Sequence, residues 1–221
     1  MAIEAHTDPT HAAAGSPCQP RLFPAFLKLG GRRVLVVGGG AVAASKLGGL
    51  IAAGAEVTVV APRIAPEILA APVRTLLRPF EPADLDDVWF VVAAATPEVN
   101  RRVAREAEAR RVFVNAVDDP ANASAYAGGV LRRDGVVIAI STEGAAPALA
   151  GLLREALEAL LPADLARWSA VARALRPQWK AAGIPLEARR PLLLEALEAL
   201  YARRDGTAAA RGRDREREAS A

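Results

Sequence analysis

The tightest constraint in this sequence is a run of three glycines set directly after a short β-branched stretch. Arg33 to Val37 read as a strand, and Gly38, Gly39 and Gly40 follow at once. Ala41 to Ala53 then carry a helical pattern closed by Gly54, and Glu56 to Val60 read as a second strand. A chain that turns from strand to helix through bare backbone is set for a βαβ unit. Gly38, Gly40 and Ala43 fit G-x-G-x-x-A in the context that pattern requires. Gly38 permits the tight turn, Gly40 lets a diphosphate approach the main chain, and Ala43 lets the helix pack close to the sheet. The N–H groups that open the helix then hold the anion. The competing reading is a glycine turn with a purely structural role.

The alternation continues past this unit. Val73 to Leu77, Val88 to Ala93 and Val112 to Ala116 read as strands, and Pro97 to Arg110 reads as a helix. Near-continuous apolar strands separated by helices argue for a parallel sheet covered on both faces. The second half differs. Ser124 to Leu131 and Val136 to Ser141 read as two strands around a hairpin signal at Asp134-Gly135. After Pro147, leucines recur at helical spacing, with breaks expected at Pro162, Pro177 and Pro185 and a last amphipathic helix carrying Leu192, Leu193, Leu197 and Leu200. The fold class expected is α/β: a Rossmann-type parallel sheet over residues 21–118, a small β segment over 119–147 and a helical domain over 148–203. Residues 1–20 read as a disordered leader and 204–221 as a charged tail.

Several function classes fall away. No apolar run reaches the roughly 18 residues of a membrane span, and no secretory signal is visible. The single cysteine, Cys18, makes disulfides irrelevant, so a cytoplasmic protein is expected. The net charge of +3 is too mild to argue for nucleic acid, because many arginines sit beside glutamates on helical stretches. Both histidines, His6 and His11, lie in the leader with Cys18. If the leader stays outside the folded body, a histidine base, a cysteine nucleophile and a His/Cys zinc site are all excluded, and no resident metal is expected. Proton chemistry is then left to carboxylates, lysine, tyrosine or solvent.

A ribose-reading carboxylate normally stands at the end of the second strand. Ala61, Pro62 and Arg63 occupy that place here. Arg63 is suited to a 2′-phosphate, or it is a solvated loop arginine. Asp118 follows the fifth strand, at the edge where open α/β sheets bind ligands. It reads either as a proton acceptor or as a turn-forming aspartate before Asp119-Pro120.

Five stretches together carry a family resemblance. They are Leu22 to Leu27, Val36 to Lys46, Ala94 to Asn100 (AATPEVN), Asn115 to Asp118 (NAVD) and Ala139 to Pro147 (AISTEGAAP). In order and spacing they resemble the precorrin-2 dehydrogenase/sirohydrochlorin ferrochelatase family, over residues 22–203. The resemblance implies NAD-dependent oxidation of precorrin-2 to sirohydrochlorin in siroheme biosynthesis. It leaves ferrous iron insertion, giving siroheme, as a further activity, and it leaves NADP open beside NAD. It implies Asp118 as the catalytic group, and a nucleotide site at Gly38, Gly39, Gly40, Ala41, Val42, Ala61, Pro62, Arg63 and Thr96. Ser124 and Thr142 are weaker substrate-cleft residues. A homodimer is implied, built through the middle strands and C-terminal helices. Methylation is not expected, because the chain stops where larger relatives begin a methyltransferase domain. One departure stands out: Ser124-Ala-Tyr-Ala-Gly128 replaces the family's S-F-x-x-P. It motivates an alternative, a non-catalytic tetrapyrrole- or nucleotide-binding module on the same fold. A dehydrogenase for another substrate is disfavoured by the missing histidine base. Arg132, Arg133 and Arg154 are suited to the carboxylates of a tetrapyrrole, or face solvent.

Overall fold

The computed structural model describes residues 22–201. The expectations for the leader and the charged tail, with His6, His11 and Cys18, lie outside the described residues. The chain divides into two compact units between Ala125 and Tyr126.

The first unit is built on five parallel strands: β1 (Arg33–Val37), β2 (Glu56–Val60), β3 (Arg74–Leu76), β4 (Phe90–Ala93) and β5 (Phe113–Ala116), in the order β3-β2-β1-β4-β5. Helices α1 (Ala41–Ala52), α2 (Pro66–Leu69) and α3 (Pro97–Ala109) lie in the connections, with a short 3-10 turn at Pro82–Leu85. β1 is central because it is buried almost throughout, with Val34, Leu35, Val36 and Val37 each at most 2% exposed. Alternate residues of β1 feed two separate cores. Leu35 and Val37 join Val91, Val103 and Val114, whereas Val34 and Val36 join Ala43, Leu47 and Leu50. A strand buried on both faces needs helices on both faces, which the helix patterns supply. α1 buries Ala43, Leu47 and Leu50, and α3 buries Asn100, Val103 and Ala107, each set recurring at helical spacing. Each such valine or leucine contributes about 1.5–3 kcal/mol by leaving water.

The register fixes where the strands end. Val37 is level with Val60 and with Ala93, and Ala93 is level with Ala116. The residues that follow, Gly38, Ala61, Ala94 and Val117, therefore emerge along one edge. β2 and β4 flank β1 on opposite sides, so the connections leaving β1 and β4 part at this edge and open a crevice.

The second unit opens with an antiparallel hairpin, β6 (Gly129–Arg133) and β7 (Val136–Ile140), turned through Asp134 and Gly135, both at positive φ. Helices α4 (Pro147–Leu160) and α5 (Leu165–Ala181) follow, and residues 186–201 are helical. The indole N–H of Trp168 donates to the Tyr201 hydroxyl at 2.7 Å, and that hydroxyl donates to Asp164 at 3.1 Å. This chain ties the last helix to α5. Among the described residues no helix is long and apolar enough to cross a membrane.

Two expectations are corrected here. Residues 124–128 are not part of a strand: β6 begins at Gly129. The N–H groups of Ser124 and Ala125 both donate to the Val114 carbonyl, at 2.9 Å, and the Ser124 hydroxyl accepts the Val114 N–H at 2.8 Å. Bonded back to β5 in this way, the segment bends instead of pairing along the hairpin. Pro177 does not break the chain either; it lies inside α5. A proline deletes one intrahelical hydrogen bond, and at this exposed position water can serve the freed carbonyl.

Candidate functional site

The glycine turn is held by sterics that differ at each position. Gly38 has φ 127°, and a Cβ there would lie 2.2 Å from the Ala94 carbonyl oxygen. A Cβ at Gly39 would lie 2.0 Å from the carbonyl oxygen of Arg63, and the Gly39 carbonyl accepts the Ala65 N–H at 2.7 Å. A Cβ at Gly40 would meet nothing within 4 Å. The first two glycines are thus required by the protein itself. The third leaves open space at the start of α1, where Gly40 is the N-cap and no side chain caps the helix. Uncapped N–H groups facing open space form an anion cradle, which fits the diphosphate of a dinucleotide. Ala43, fully buried, holds α1 close to the sheet as its place in the motif requires.

Two cavities lie along the carboxyl edge of the sheet. The first, of about 680 Å³, is lined by Gly38, Gly39, Gly40, Ala61, Pro62, Arg63 and Thr96, and also by Phe80, Val99 and Arg102. Its charged lining among the described residues is cationic: Arg63 and Arg102, with no acidic residue. The Arg102 guanidinium sits 5.6 Å from the centroid of the Phe80 ring. The second cavity, also of about 680 Å³, is lined by Val42, Pro97, Asn100, Arg101, Val117, Asp118, Asp119 and Asn122 among others. Ala94 and Ala95 line both. The nucleotide residues expected from sequence therefore gather in one place, apart from Ala41 at the helix start and Val42, which faces the cavity of Asp118.

Asp118 is exposed and held at φ 55°, a left-handed conformation that aspartate adopts more readily than most residues. Its carboxylate has no hydrogen bond or ion pair among the described residues. Its neighbour Asp119 accepts a hydrogen bond from Asn122 Nδ2 at 2.8 Å, so the two adjacent carboxylates differ in availability. Ser124 lines neither cavity; its hydroxyl is used by β5. Thr142 lies in the second unit, where its hydroxyl accepts the Ala146 N–H at 3.2 Å ahead of α4. Arg154 pairs with Glu155 and Glu158, at 3.2 Å and 2.9 Å, and Arg133 reaches the Leu161 carbonyl at 3.3 Å. Those two arginines are already engaged.

Sequence reasoning missed Asn100, Arg101, Arg102 and Phe80. Asn100 is 4% exposed, and its side-chain oxygen accepts the Ala95 N–H at 3.0 Å. The signal was present: Asn100 lies on the apolar stripe of α3 with Val103 and Ala107. A polar residue there needs a partner.

Comparisons with known proteins agree with this geometry. A family described as "Putative NAD(P)-binding" matches residues 25–129, and one described as "Sirohaem biosynthesis protein central" matches residues 134–160. Siroheme synthase 1 of Cronobacter sakazakii is 46% identical over 159 residues, covering 70% of this chain and 34% of its own length. The chain belongs to the siroheme synthase/precorrin-2 dehydrogenase family. Siroheme synthase 1 of Aeromonas salmonicida is 42% identical over 195 residues, 86% of this chain and 41% of the relative. The chain thus spans roughly a third to two fifths of the siroheme synthases it matches. Among solved structures, SirC, a precorrin-2 dehydrogenase, superposes with a TM-score of 0.59 at 25% identity, over 79% of this chain and 88% of SirC. The expected fold class is the one observed: a parallel five-stranded sheet, a small antiparallel pair and a helical C-terminal part.

Proposed function

We propose that the protein is an NAD-dependent dehydrogenase that oxidises precorrin-2 to sirohydrochlorin. The observation that carries this reading is the meeting of two cavities at Ala94 and Ala95, one built on the glycine turn and the other holding an unengaged carboxylate. When bound, the nicotinamide nucleotide supplies a hydride acceptor. The protein's own part is to hold and orient. The N–H groups from Gly40 to Val42 hold the diphosphate, Ala61, Pro62 and Arg63 border the adenosine half, and Thr96 borders the diphosphate from the β4 side. The Asp118 carboxylate accepts the proton leaving a ring nitrogen as hydride leaves a ring carbon, which balances the two-electron oxidation.

Sirohydrochlorin is then the product, and ferrous iron is a second substrate if the same carboxylate takes up the remaining ring protons during insertion. NAD is the nucleotide of this reading; Arg63 keeps NADP as the comparison to make. The protein acts in the cytoplasm as a homodimer built through the β6–β7 hairpin and the helices after it. The test is an anaerobic assay with precorrin-2 and each nucleotide in turn, followed by ferrous iron. Nucleotide reduction coupled to sirohydrochlorin formation is expected. Nucleotide binding without tetrapyrrole oxidation would instead identify a non-catalytic binding module.

A further inference from the structure

Resting on the reading above, we infer that Arg101 is the residue that receives a peripheral carboxylate of the tetrapyrrole and so sets affinity for polycarboxylated substrates. Three observations lead to it. Among the described residues, Arg101 is the one cationic side chain lining the cavity of Asp118, where the other charged groups are the carboxylates of Asp118 and Asp119. An anionic substrate approaching two carboxylates meets repulsion, and a guanidinium in the same cavity offsets it.

The other polar side chains there are neutral amides. The Asn100 oxygen accepts from the Ala95 N–H, and Asn122 Nδ2 donates to Asp119. Arg101 itself is only loosely engaged. Its contact is to Glu98 at 3.4 Å, with Arg101 56% and Glu98 73% exposed. Glu98 has other partners. The backbone N–H of Glu98 itself, and next the Thr96 hydroxyl, do most to hold that carboxyl below its ordinary range, and Arg101 contributes less. A guanidinium held only by a long, exposed contact is available to a ligand, and its planar fork suits a carboxylate in two-point contact.

The experiment compares wild type, Arg101→Gln and Arg101→Lys. Steady-state turnover is read with precorrin-2, and direct binding is read by fluorescence quenching with uroporphyrin, a stable octacarboxylate. Arg101→Gln is expected to raise KM for precorrin-2 and Kd for uroporphyrin about three- to fivefold, the upper range of a solvent-screened charge contact. kcat and the KM for NAD stay within about twofold of wild type, since the residue acts on ground-state binding. Arg101→Lys recovers part of the affinity, because it restores charge but not the fork. Unchanged uroporphyrin binding and unchanged precorrin-2 KM in Arg101→Gln would overturn the inference, as would failure of wild type to bind uroporphyrin. Wild type that binds uroporphyrin in an Arg101-dependent way yet oxidises no precorrin-2 would defeat the dehydrogenase reading and leave this assignment standing.

Discussion

The side-chain oxygen of Asn100 accepts the backbone N–H of Ala95 at 3.0 Å, and Ala95 borders both cavities at the sheet edge. A buried side chain on α3 thereby fixes the main chain at the margin that the two cavities share. Asn100→Leu keeps the branched shape but removes the acceptor. It is expected to cost about 1–2 kcal/mol for the lost bond and to raise the KM for the nucleotide. Urea unfolding and nucleotide titration check both. A variant as stable and as tight-binding as wild type would show that the bond does not hold this margin in place.

The three glycines are expected to fail in different ways. Gly38→Ala and Gly39→Ala would place a methyl carbon 2.2 Å and 2.0 Å from carbonyl oxygens. Both should lose stability, by about 1–3 kcal/mol each. Gly40→Ala has room and an ordinary backbone conformation, with φ −94°. It should unfold like wild type but bind NAD about tenfold more weakly, since the methyl fills the diphosphate cradle. Thermal unfolding beside isothermal titration separates the two classes.

For Asp118, the informative substitution is Asn. Aspartate and asparagine are the non-glycine residues that best tolerate its φ of 55°, so Asp118→Asn removes the charge with little backbone penalty. Loss of a positioned proton acceptor should lower kcat about 10²- to 10⁴-fold, while NAD binding stays intact. Asp118→Ala should lose the same activity and, in addition, about 1 kcal/mol of stability from strain. Retention of wild-type turnover in Asp118→Asn would remove the carboxylate from the mechanism.

Acid sensitivity is expected at Asp84. Its side chain is only 7% exposed, and burial alone would raise its pKa. Two hydrogen bonds from Arg78 and one from the Glu81 N–H at 2.9 Å outweigh that and hold the carboxyl below its ordinary range. A carboxyl depressed on folding contributes stability above its unfolded pKa, and that contribution fades as pH falls through the folded value. Asp84→Asn should therefore be less stable than wild type at neutral pH by about 1–3 kcal/mol. The gap should close below about pH 4. Denaturant midpoints of both proteins from pH 7 downward give the comparison. Because Arg78 leads directly into Pro79 and Phe80, which line the cavity at the glycine turn, the same variant should also loosen nucleotide binding.

The sheet was legible in the sequence because its strands are short, apolar and punctuated by glycine and proline. β1, β2 and α1 match the sequence reading to within a residue. The lining of the first cavity was legible for the same reason: its glycines and the residues after β2 are set by spacing from β1. Ser124 to Gly128 misled, since their alternation suits a strand, while the bonds that decide their path come from Val114, ten residues earlier. Pro177 misled because a proline's effect depends on whether its turn faces water. Arg101 was hidden among arginines that look alike in sequence. Only the placement of α3 beside the β5 loop distinguishes it from Arg133 and Arg154, which glutamates and a carbonyl already occupy.

The sharing of Ala94 and Ala95 by the two cavities has a further consequence. These residues bring only main chain and two methyl groups to each lining, so the margin common to both has little bulk. Ala95→Leu would add three carbons at that margin without touching the glycine turn or Asp118. It should narrow both cavities at once, whereas a change at Gly40 or at Asp118 alters only one.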